Sequence, residues 1–151
     1  MLLVNTTSDV FPYVGKHLGT SDWVTIDQKM IDDFSRVTGD DSWIHTDPER
    51  ARREFSHGRT IVHGMLTFSL ITRLGGDIFN VKGRSRSINY GANTLRFPAP
   101  VLCDDRVRLH RSLKAASRIE GGLRVHYDNS VEIAGNERPA LVAETLTIIY
   151  D

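Results

Sequence analysis

Cysteine is nearly absent from this chain, which has a single one, Cys103, among its 151 residues. One cysteine cannot form an intramolecular disulfide, and it cannot supply the several thiolates of a cysteine-based zinc site. The neighbours of Cys103 are apolar and acidic, and no plausible base stands beside it. We therefore expect Cys103 to be a small, reduced, structural residue.

An excess of charge of one sign is also missing. Lys plus Arg and Asp plus Glu each number 19, so the formal net charge is zero with His neutral. No global attraction toward nucleic acid or an anionic membrane follows from this balance. No apolar run approaches the ~18 residues that span a bilayer, and the N-terminus lacks the basic region of a secretory signal. We expect a cytoplasmic protein with neither a nucleic-acid nor a membrane partner.

Metal-ligand signatures are lacking as well. The sequence contains no His-Glu-x-x-His, and four of its six histidines show no metal-ligand spacing. These four are His17, His57, His110 and His126. We therefore expect no metal site.

The length and patterning indicate one α+β domain. A chain of 151 residues matches one domain, and no linker or low-complexity tract divides it, so residues 1–151 are predicted to form a single unit. Up to about Phe79 the pattern is mostly helical. From about Arg84 onward apolar and polar residues alternate, which predicts strands over 85–97, 106–115, 123–133 and 141–150.

Three helices are predicted in the first half. The first begins at the capping residue Asp27 and ends at Gly39. Its apolar stripe consists of Met30, Ile31, Phe34 and Val37. A second, short helix is predicted from the start signal Asp47-Pro48-Glu49. The third, over 64–74, has apolar side chains in nearly every direction and no broad solvent face, so the predicted antiparallel sheet should wrap it.

The most informative segment joins the first two helices. Asp40 follows the helix-stopping Gly39, and His45 precedes the cap of the next helix, so both lie on one short connection. A carboxylate and an imidazole that converge on one water supply a proton acceptor and an orienting hydrogen bond, as general acid–base catalysis requires.

A second candidate feature begins at Gly64, which opens the predicted buried helix. Its backbone N–H has no intrahelical partner, and the positive end of the helix dipole would face incoming negative charge. A thioester oxygen that becomes an enolate is such a charge, so this N–H could serve as an oxyanion hole. His63, just before it, could bind substrate or hold the loop that leads into the helix, and we favour the second role.

These segments resemble the MaoC-like (R)-specific enoyl-CoA hydratases. The resemblance rests on Thr38-Gly39-Asp40, His45, Asp47-Pro48 and Ala51, followed by Val62-His63-Gly64-Met65-Leu66. Trp43-Ile44-His45, the run Ile88-Asn89-Tyr90-Gly91-Ala92-Asn93 and the run Arg96-Phe97-Pro98-Ala99-Pro100-Val101 look like the nodulation protein N-like subgroup of dehydratases.

The resemblance implies a hot-dog fold, in which an antiparallel sheet wraps a central helix, and a homodimer with active sites near the subunit interface. It also implies a hydro-lyase that reversibly hydrates trans-2-enoyl-CoA to (R)-3-hydroxyacyl-CoA, in fatty acid metabolism, without a cofactor beyond the coenzyme A of the substrate. Asp40 and His45 would act on the water, and the Gly64 N–H would bind the thioester carbonyl. Thr72 occupies the position of a hydroxyl that supports the aspartate in some members, and Asn93 could line the pocket or the dimer contact.

One departure from the family pattern leaves other functions open. Ser42 stands where the subgroup usually has Gln or another amide, so the side chain is shorter and an amide donor is lost. A hot-dog acyl-CoA thioesterase and a non-catalytic acyl-CoA-binding module are the alternatives. Basic residues cluster at 50–59 and 82–86, where they could contact coenzyme A phosphates or form a solvated face, and we favour the solvated face.

Overall fold

The computed structural model describes the whole chain, from Met1 to Asp151. It has four α-helices, a 3-10 helix over Thr7–Tyr13 and eight strands. The strands are β1 (Leu2–Val4), β2 (His17–Thr20), β3 (Val24–Thr25), β4 (Phe79–Val81), β5 (Arg86–Arg96), β6 (Arg106–Ile119), β7 (Gly122–Ile133) and β8 (Leu141–Tyr150). The helices are α1 (Gln28–Thr38), α2 (Trp43–Thr46), α3 (Pro48–Glu54) and α4 (Gly64–Gly76). None of them is long and apolar enough to cross a membrane.

The main sheet has six strands, in the order β2-β6-β7-β8-β5, with β3 pairing with β6 beside β2. All of its pairings are antiparallel. Alternate residues along β6 and β7 are buried, because successive side chains of a strand point to opposite faces. The buried face packs on α4 through Leu66, Ile71 and Leu74, which belong to one continuous hydrophobic core. This arrangement confirms the predicted α+β class.

The helix predictions hold at their ends. The Asp27 carboxylate accepts a hydrogen bond of 2.9 Å from the Met30 N–H, which is the N-cap contact expected for α1. Gly39 ends α1 in the left-handed region, at φ +77°, a conformation that glycine adopts without steric penalty. Asp47 caps α3 in the same way through the Arg50 N–H, at 2.9 Å. The predicted helix over 64–74 is α4, which continues through Gly75 and Gly76.

The predicted apolar stripe of α1 is wrong at its last position. Val37 is 83% exposed, whereas Ile31 is fully buried and Met30 and Phe34 are partly buried against the core. Val37 belongs to the last turn of α1, next to the loop that carries Asp40. The polar Ser35 is buried in its place.

Three short strands in the first half were not predicted. β1, β2 and β3 have only three, four and two residues, too few for a period-two pattern to emerge. β1 pairs in parallel with β4, and β2 and β3 both lie along β6. They are defined by their partners elsewhere in the chain, so local sequence carries little signal for them.

The sheet wraps α4 as predicted, but in one chain the helix keeps an exposed face, so the expectation that it has no broad solvent face is wrong for the single chain. Met65 is 50% exposed, and Ser69, Thr72, Arg73 and Gly76 are exposed on the same face. Strand β5, at the edge of the sheet, is also exposed along nearly all its length, including Ile88 at 46% and Tyr90 at 57%. One chain therefore leaves an open helix face and an open sheet edge.

Candidate active site

The end of α1 places Asp40 in solvent. The Gly39 N–H donates to the Ser35 carbonyl, and the chain then leaves the helix, so Asp40 is the first residue of the loop. Its own N–H donates to Thr38 Oγ1 at 3.3 Å. The Asp40 side chain is 58% exposed and has no cation paired with it apart from His63, at 4.0 Å from Oδ2 to Nε2. Its carboxylate is therefore free to accept a hydrogen bond from a ligand or water.

His45 lies in α2, a single helical turn, and is buried. Its Nδ1 is 2.6 Å from the Ile61 carbonyl oxygen. A carbonyl oxygen only accepts, so Nδ1 carries the proton and Nε2 is the ring nitrogen with a free lone pair in the neutral imidazole. The backbone thus fixes both the ring orientation and the nitrogen that can take a proton.

His63 joins the loop to the start of α4. Its Nε2 donates to the Asp40 backbone carbonyl at 2.9 Å, and its ring stacks on the His45 ring at 3.8 Å between centroids. The Phe34 ring covers the other side, at 5.1 Å. These contacts match the loop-holding role favoured from the sequence. His63 Nδ1 is buried without a hydrogen-bond partner.

Gly64 is the first residue of α4, directly after His63. Its N–H is among the first amides of a helix, which have no carbonyl within the helix to bond. A Cβ at this position would lie 3.2 Å from the Phe97 ring, so the site has little room for a larger residue. The helix therefore presents an amide donor beside the histidine pair.

The geometry brings three of the predicted residues together. One ligand atom from each of Asp40, His45 and His63 lies within 4.8 Å of the other two. The Asp40 carboxylate and His45 Nε2 are both acceptors, so together they can receive the two protons of one water. The same three side chains are the ones that could hold a metal ion, although one ring nitrogen of each histidine already donates to a backbone carbonyl. The absence of a metal stays a prediction.

Ser42 lies next to this cluster but is exposed. It is the N-cap residue of α2, and its side chain makes no capping hydrogen bond. Its backbone carbonyl accepts from the His45 N–H at 2.9 Å. The Ser42 hydroxyl is therefore available at the edge of the site.

Thr72 is not brought to Asp40 within one chain. It lies eight residues after Gly64, about 12 Å along the helix at 1.5 Å per residue. Its Oγ1 accepts a long hydrogen bond of 3.4 Å from Asn89 Nδ2 on β5. A role for Thr72 in supporting the aspartate therefore has no basis in the single chain.

Asn93 also lies away from the cluster. Its Nδ2 donates to Glu144 Oε1 at 2.8 Å, and His126 and Lys114 contact the same carboxylate. Hydrogen bonds from His126, Lys114 and Asn93, in that order of strength, lower the pKa of Glu144 to about 2. Asn93 is thus part of a polar network on the strands β5–β8, and its role in the pocket or the dimer contact stays a prediction.

Two of the four arginines in the basic cluster at 50–59 are paired with carboxylates. The Arg50 guanidinium lies over the Trp43 ring at 4.1 Å and reaches Glu54 at 3.5 Å. Arg59 pairs with Asp105 at 2.8 Å. These contacts agree with the favoured interpretation of a face offset by acids.

Sequence reasoning missed the group that orients His45. That group is the backbone carbonyl of Ile61. Every residue carries such a carbonyl, so only the fold decides which one contacts the His45 ring. No residue type could have revealed it. The buried Arg111 was also missed, because a single arginine in a strand pattern carries no signal of its surroundings.

The sequence of this chain is similar to that of a known protein family and of named relatives. Residues 10–132 match the family described as MaoC like domain. The chain is 41% identical over 147 residues to 3-hydroxyacyl-thioester dehydratase Z of Mycobacterium tuberculosis (strain ATCC 25618 / H37Rv), with 97% of each chain covered. It is 39% identical over 145 residues to nodulation protein N of Rhizobium leguminosarum bv. viciae, with 94% and 89% covered.

A solved structure shows the same fold. The R-hydratase PhaJ1 of Pseudomonas aeruginosa, in its unliganded form, superimposes with a TM-score of 0.73 at 22% identity. The match covers 91% of this chain and 82% of that one. The predicted hot-dog fold is confirmed.

Proposed function

The chain belongs to the MaoC-like domain family, and on that premise we propose that it reversibly hydrates a trans-2-enoyl-CoA to the (R)-3-hydroxyacyl-CoA. The relative named as a 3-hydroxyacyl-thioester dehydratase supports the hydro-lyase class. The observation that carries the proposal is the convergence of Asp40, His45 and His63 within 4.8 Å at the start of α4.

Water activation is assigned to Asp40 and His45. In the hydration direction a water donates one hydrogen bond to the Asp40 carboxylate and one to His45 Nε2, which orients its oxygen toward C3 of the enoyl group. The oxygen bonds to C3 while one of the water's protons passes to this pair of acceptors and the C2–C3 π electrons move onto the thioester. The same pair then delivers that proton to C2 of the enolate. Dehydration reverses these steps. His63 acts as a positioning residue, since its hydrogen bond to the Asp40 carbonyl holds the loop against the helix.

Stabilisation of the negative charge on the thioester oxygen is assigned to the start of α4. Attack at C3 moves electron density onto the thioester carbonyl oxygen, which becomes enolate-like. The Gly64 N–H and the positive end of the helix dipole stabilise this charge without reorganisation. The stabilisation grows as the negative charge develops, so it lowers the barrier more than it tightens substrate binding.

We further propose that the working protein is a homodimer. The exposed face of α4 and the exposed edge strand β5, with Ile88 and Tyr90, are surfaces that a single chain leaves open. A second copy packed there would cover apolar side chains and the unpaired edge. Covered in this way, α4 would meet the sequence expectation of a helix without a broad solvent face.

The test follows the two bonds that the competing functions would change, the conjugated double bond and the thioester bond. Purified protein is mixed with trans-2-enoyl-CoA of short, medium and long chain, and loss of the conjugated double bond is followed while free thiol is assayed in parallel. Loss of the double bond without thiol release, with the (R)-3-hydroxy product alone, is expected. Thiol release would assign the chain to the thioesterases, and binding without either reaction would assign it to the acyl-CoA-binding modules.

The residue roles are tested by Asp40→Asn and His45→Gln. Each should lower kcat at least ~100-fold, the contribution typical of general acid–base catalysis, with the fold unchanged by circular dichroism. Asp41→Asn is the matched control, because Asp41 is an exposed neighbour outside the cluster, and it should stay within about threefold of wild type. Activity that survives both changes would contradict the assigned roles.

The proposed mechanism uses no metal or other cofactor. Dialysis against a chelator should therefore leave kcat unchanged. Loss of activity that added Zn²⁺ restores would instead assign the Asp40, His45 and His63 cluster to a metal ion.

A further inference from the structure

A second feature of the fold is a cavity of about 540 Å³ beside the C-terminal half of α4. It lies between this helix, strand β5 and the inner face of the sheet. Its apolar walls include Phe68, Ile71, Phe79, Leu146 and Ile149. None of Asp40, His45, His63 and Gly64 lines it. It is therefore distinct, within one chain, from the cluster described above.

Arg111 on β6 brings a positive charge to this cavity. The residue is only 9% exposed. Its Nε donates to Asn129 Oδ1 at 2.8 Å, and its Nη2 reaches the Ile71 carbonyl at 3.4 Å. The third nitrogen, Nη1, makes no hydrogen bond within the chain and is not sealed from the cavity. The guanidinium thus has a free donor on a surface that a ligand can reach.

Helix α4 is shaped to admit this side chain. A Cβ on Gly75 would lie 1.8 Å from Arg111 Nη1 and 2.2 Å from its Cζ, so only glycine leaves room for the guanidinium. The Arg111 guanidinium also lies over the Tyr127 ring, at 4.7 Å from its centroid. The placement is therefore built by contacts from the helix and the sheet together.

No negative group balances the charge. No carboxylate lies within 4.0 Å of Arg111, whereas other arginines, such as Arg108, are paired. Arg84 also lines the cavity, and no Asp or Glu does. Burial raises the pKa of Tyr127 to about 12, so this phenol stays neutral at physiological pH. A buried charge without a partner is costly, and such charges are usually paired or bind a ligand.

We propose that this cavity binds the carboxylate of an aliphatic acid, with Arg111 and Arg84 on the carboxylate and the apolar walls on the chain. A carboxylate matches the arginine donors geometrically. Nη1 is the one unengaged nitrogen of Arg111, and Arg84 Nη1 already donates to the Val81 carbonyl at 2.9 Å. This small number of free donors suits the two oxygens of a carboxylate better than the three terminal oxygens of a phosphate monoester.

The carboxylate has two possible sources. It could belong to a free aliphatic acid, or it could be the far end of an acyl chain whose thioester sits at the active site. The second source rests on the proposed function, whereas the first does not. A direct binding measurement therefore comes first.

Binding is measured by titration calorimetry with hexanoate and with 1-hexanol, which has the same chain length without the charge. The wild-type protein should bind hexanoate at least ten times more tightly than 1-hexanol. Arg111→Gln should lose at least tenfold in hexanoate affinity and none for 1-hexanol. Arg106→Gln is the matched control, because Arg106 is an exposed arginine on the same strand, β6, that does not line the cavity.

Two further comparisons keep the test decisive if Arg111→Gln does not fold. Arg84→Gln removes the second charge from a half-buried position, and it should weaken hexanoate binding severalfold. The ratio of the hexanoate and 1-hexanol affinities is measured on the wild-type protein and therefore needs no variant. Equal affinity for hexanoate and 1-hexanol, or hexanoate binding unaffected by Arg84→Gln, would overturn the proposal.

Turnover separates the two sources. We compare kcat/KM for trans-oct-2-enoyl-CoA and for the same thioester with a terminal carboxylate. A tenfold preference for the carboxylate form that Arg84→Gln abolishes would identify the far end of the substrate, whereas hexanoate binding without such a preference would identify a separate acid. If no thioester reacts, the proposed function fails while the calorimetry still decides the cavity.

Discussion

The contact between Gly75 and Arg111 gives a prediction of opposite sign for two adjacent glycines. In Gly75→Ala the new Cβ would lie 1.8 Å from Arg111 Nη1 and 2.4 Å from Nη2, so the guanidinium must move. In Gly76→Ala nothing lies within 4 Å of the new Cβ, and the backbone there is already helical. The two substitutions are chemically identical, and only their surroundings differ.

The expected magnitudes follow from these surroundings. Overpacking a filled site costs about 1–3 kcal/mol. Displacing the guanidinium also threatens its buried hydrogen bond to Asn129, and a bond to a charged group is worth about 1.5–3 kcal/mol. Exchange of glycine for alanine in a helix returns up to about 1 kcal/mol. Gly75→Ala should therefore destabilise the protein by about 1–3 kcal/mol, and Gly76→Ala should stabilise it by up to about 1 kcal/mol.

Thermal unfolding at one fixed protein concentration measures both effects. For a chain of this size 1 kcal/mol shifts Tm by roughly 2–4 °C, so Gly75→Ala should lower Tm by roughly 2–12 °C while Gly76→Ala raises it slightly. In an Arg111→Met background the guanidinium is absent, so the loss of stability caused by Gly75→Ala should largely disappear. Equal Tm shifts for the two glycines, or an undiminished cost in that background, would refute the reasoning.

Three further predictions concern charge, capping and assembly. Because the pKa of Glu144 is lowered to about 2, the ionised Glu144 stabilises the fold above the ordinary carboxyl pKa of 4.5, and this stabilisation is lost as pH falls from about 4.5 to 2. Glu144→Gln should therefore lower Tm at pH 7 and not at pH 2. A Tm difference that does not change with pH would contradict this prediction. Asp27→Ala should cost about 1 kcal/mol through loss of the cap on α1, visible in urea unfolding, and an unchanged midpoint would show that water replaces it. Light scattering should give the wild type twice the 17.0 kDa of one chain and Tyr90→Arg a value nearer one chain, whereas a monomeric wild type would refute the dimer.

Much of the architecture could be predicted from local pattern. Asp27 and Gly39 mark the ends of α1 because capping and left-handed turns depend on the residue itself and its immediate neighbours. The alternation in β7 and β8 fixes which side chains face the core, since a strand has a period of two. The short connection between α1 and α3 that carries Asp40 and His45 was also visible, although the helical turn α2 that contains His45 was not predicted.

The burial of individual residues was less predictable. Val37 fits the apolar period of α1, yet it is 83% exposed in the last turn of the helix. The open face of α4 is a similar case: a helix that is apolar on most sides predicts a full cover, and one chain supplies only part of it. Period and composition describe a single element, whereas burial depends on which other elements lie against it.

Residues close together in the chain set the helix ends, the strand phases, the connection that carries Asp40 and His45, and the glycine that opens α4, so all of these follow from the sequence. The tertiary structure alone decided the tautomer of His45, through the Ile61 carbonyl, and the contact of His63 with Asp40. It also placed Thr72 against Asn89, Asn93 against Glu144 and Arg111 against Gly75. These contacts join residues far apart in sequence, and their distances are fixed only when the sheet closes around α4.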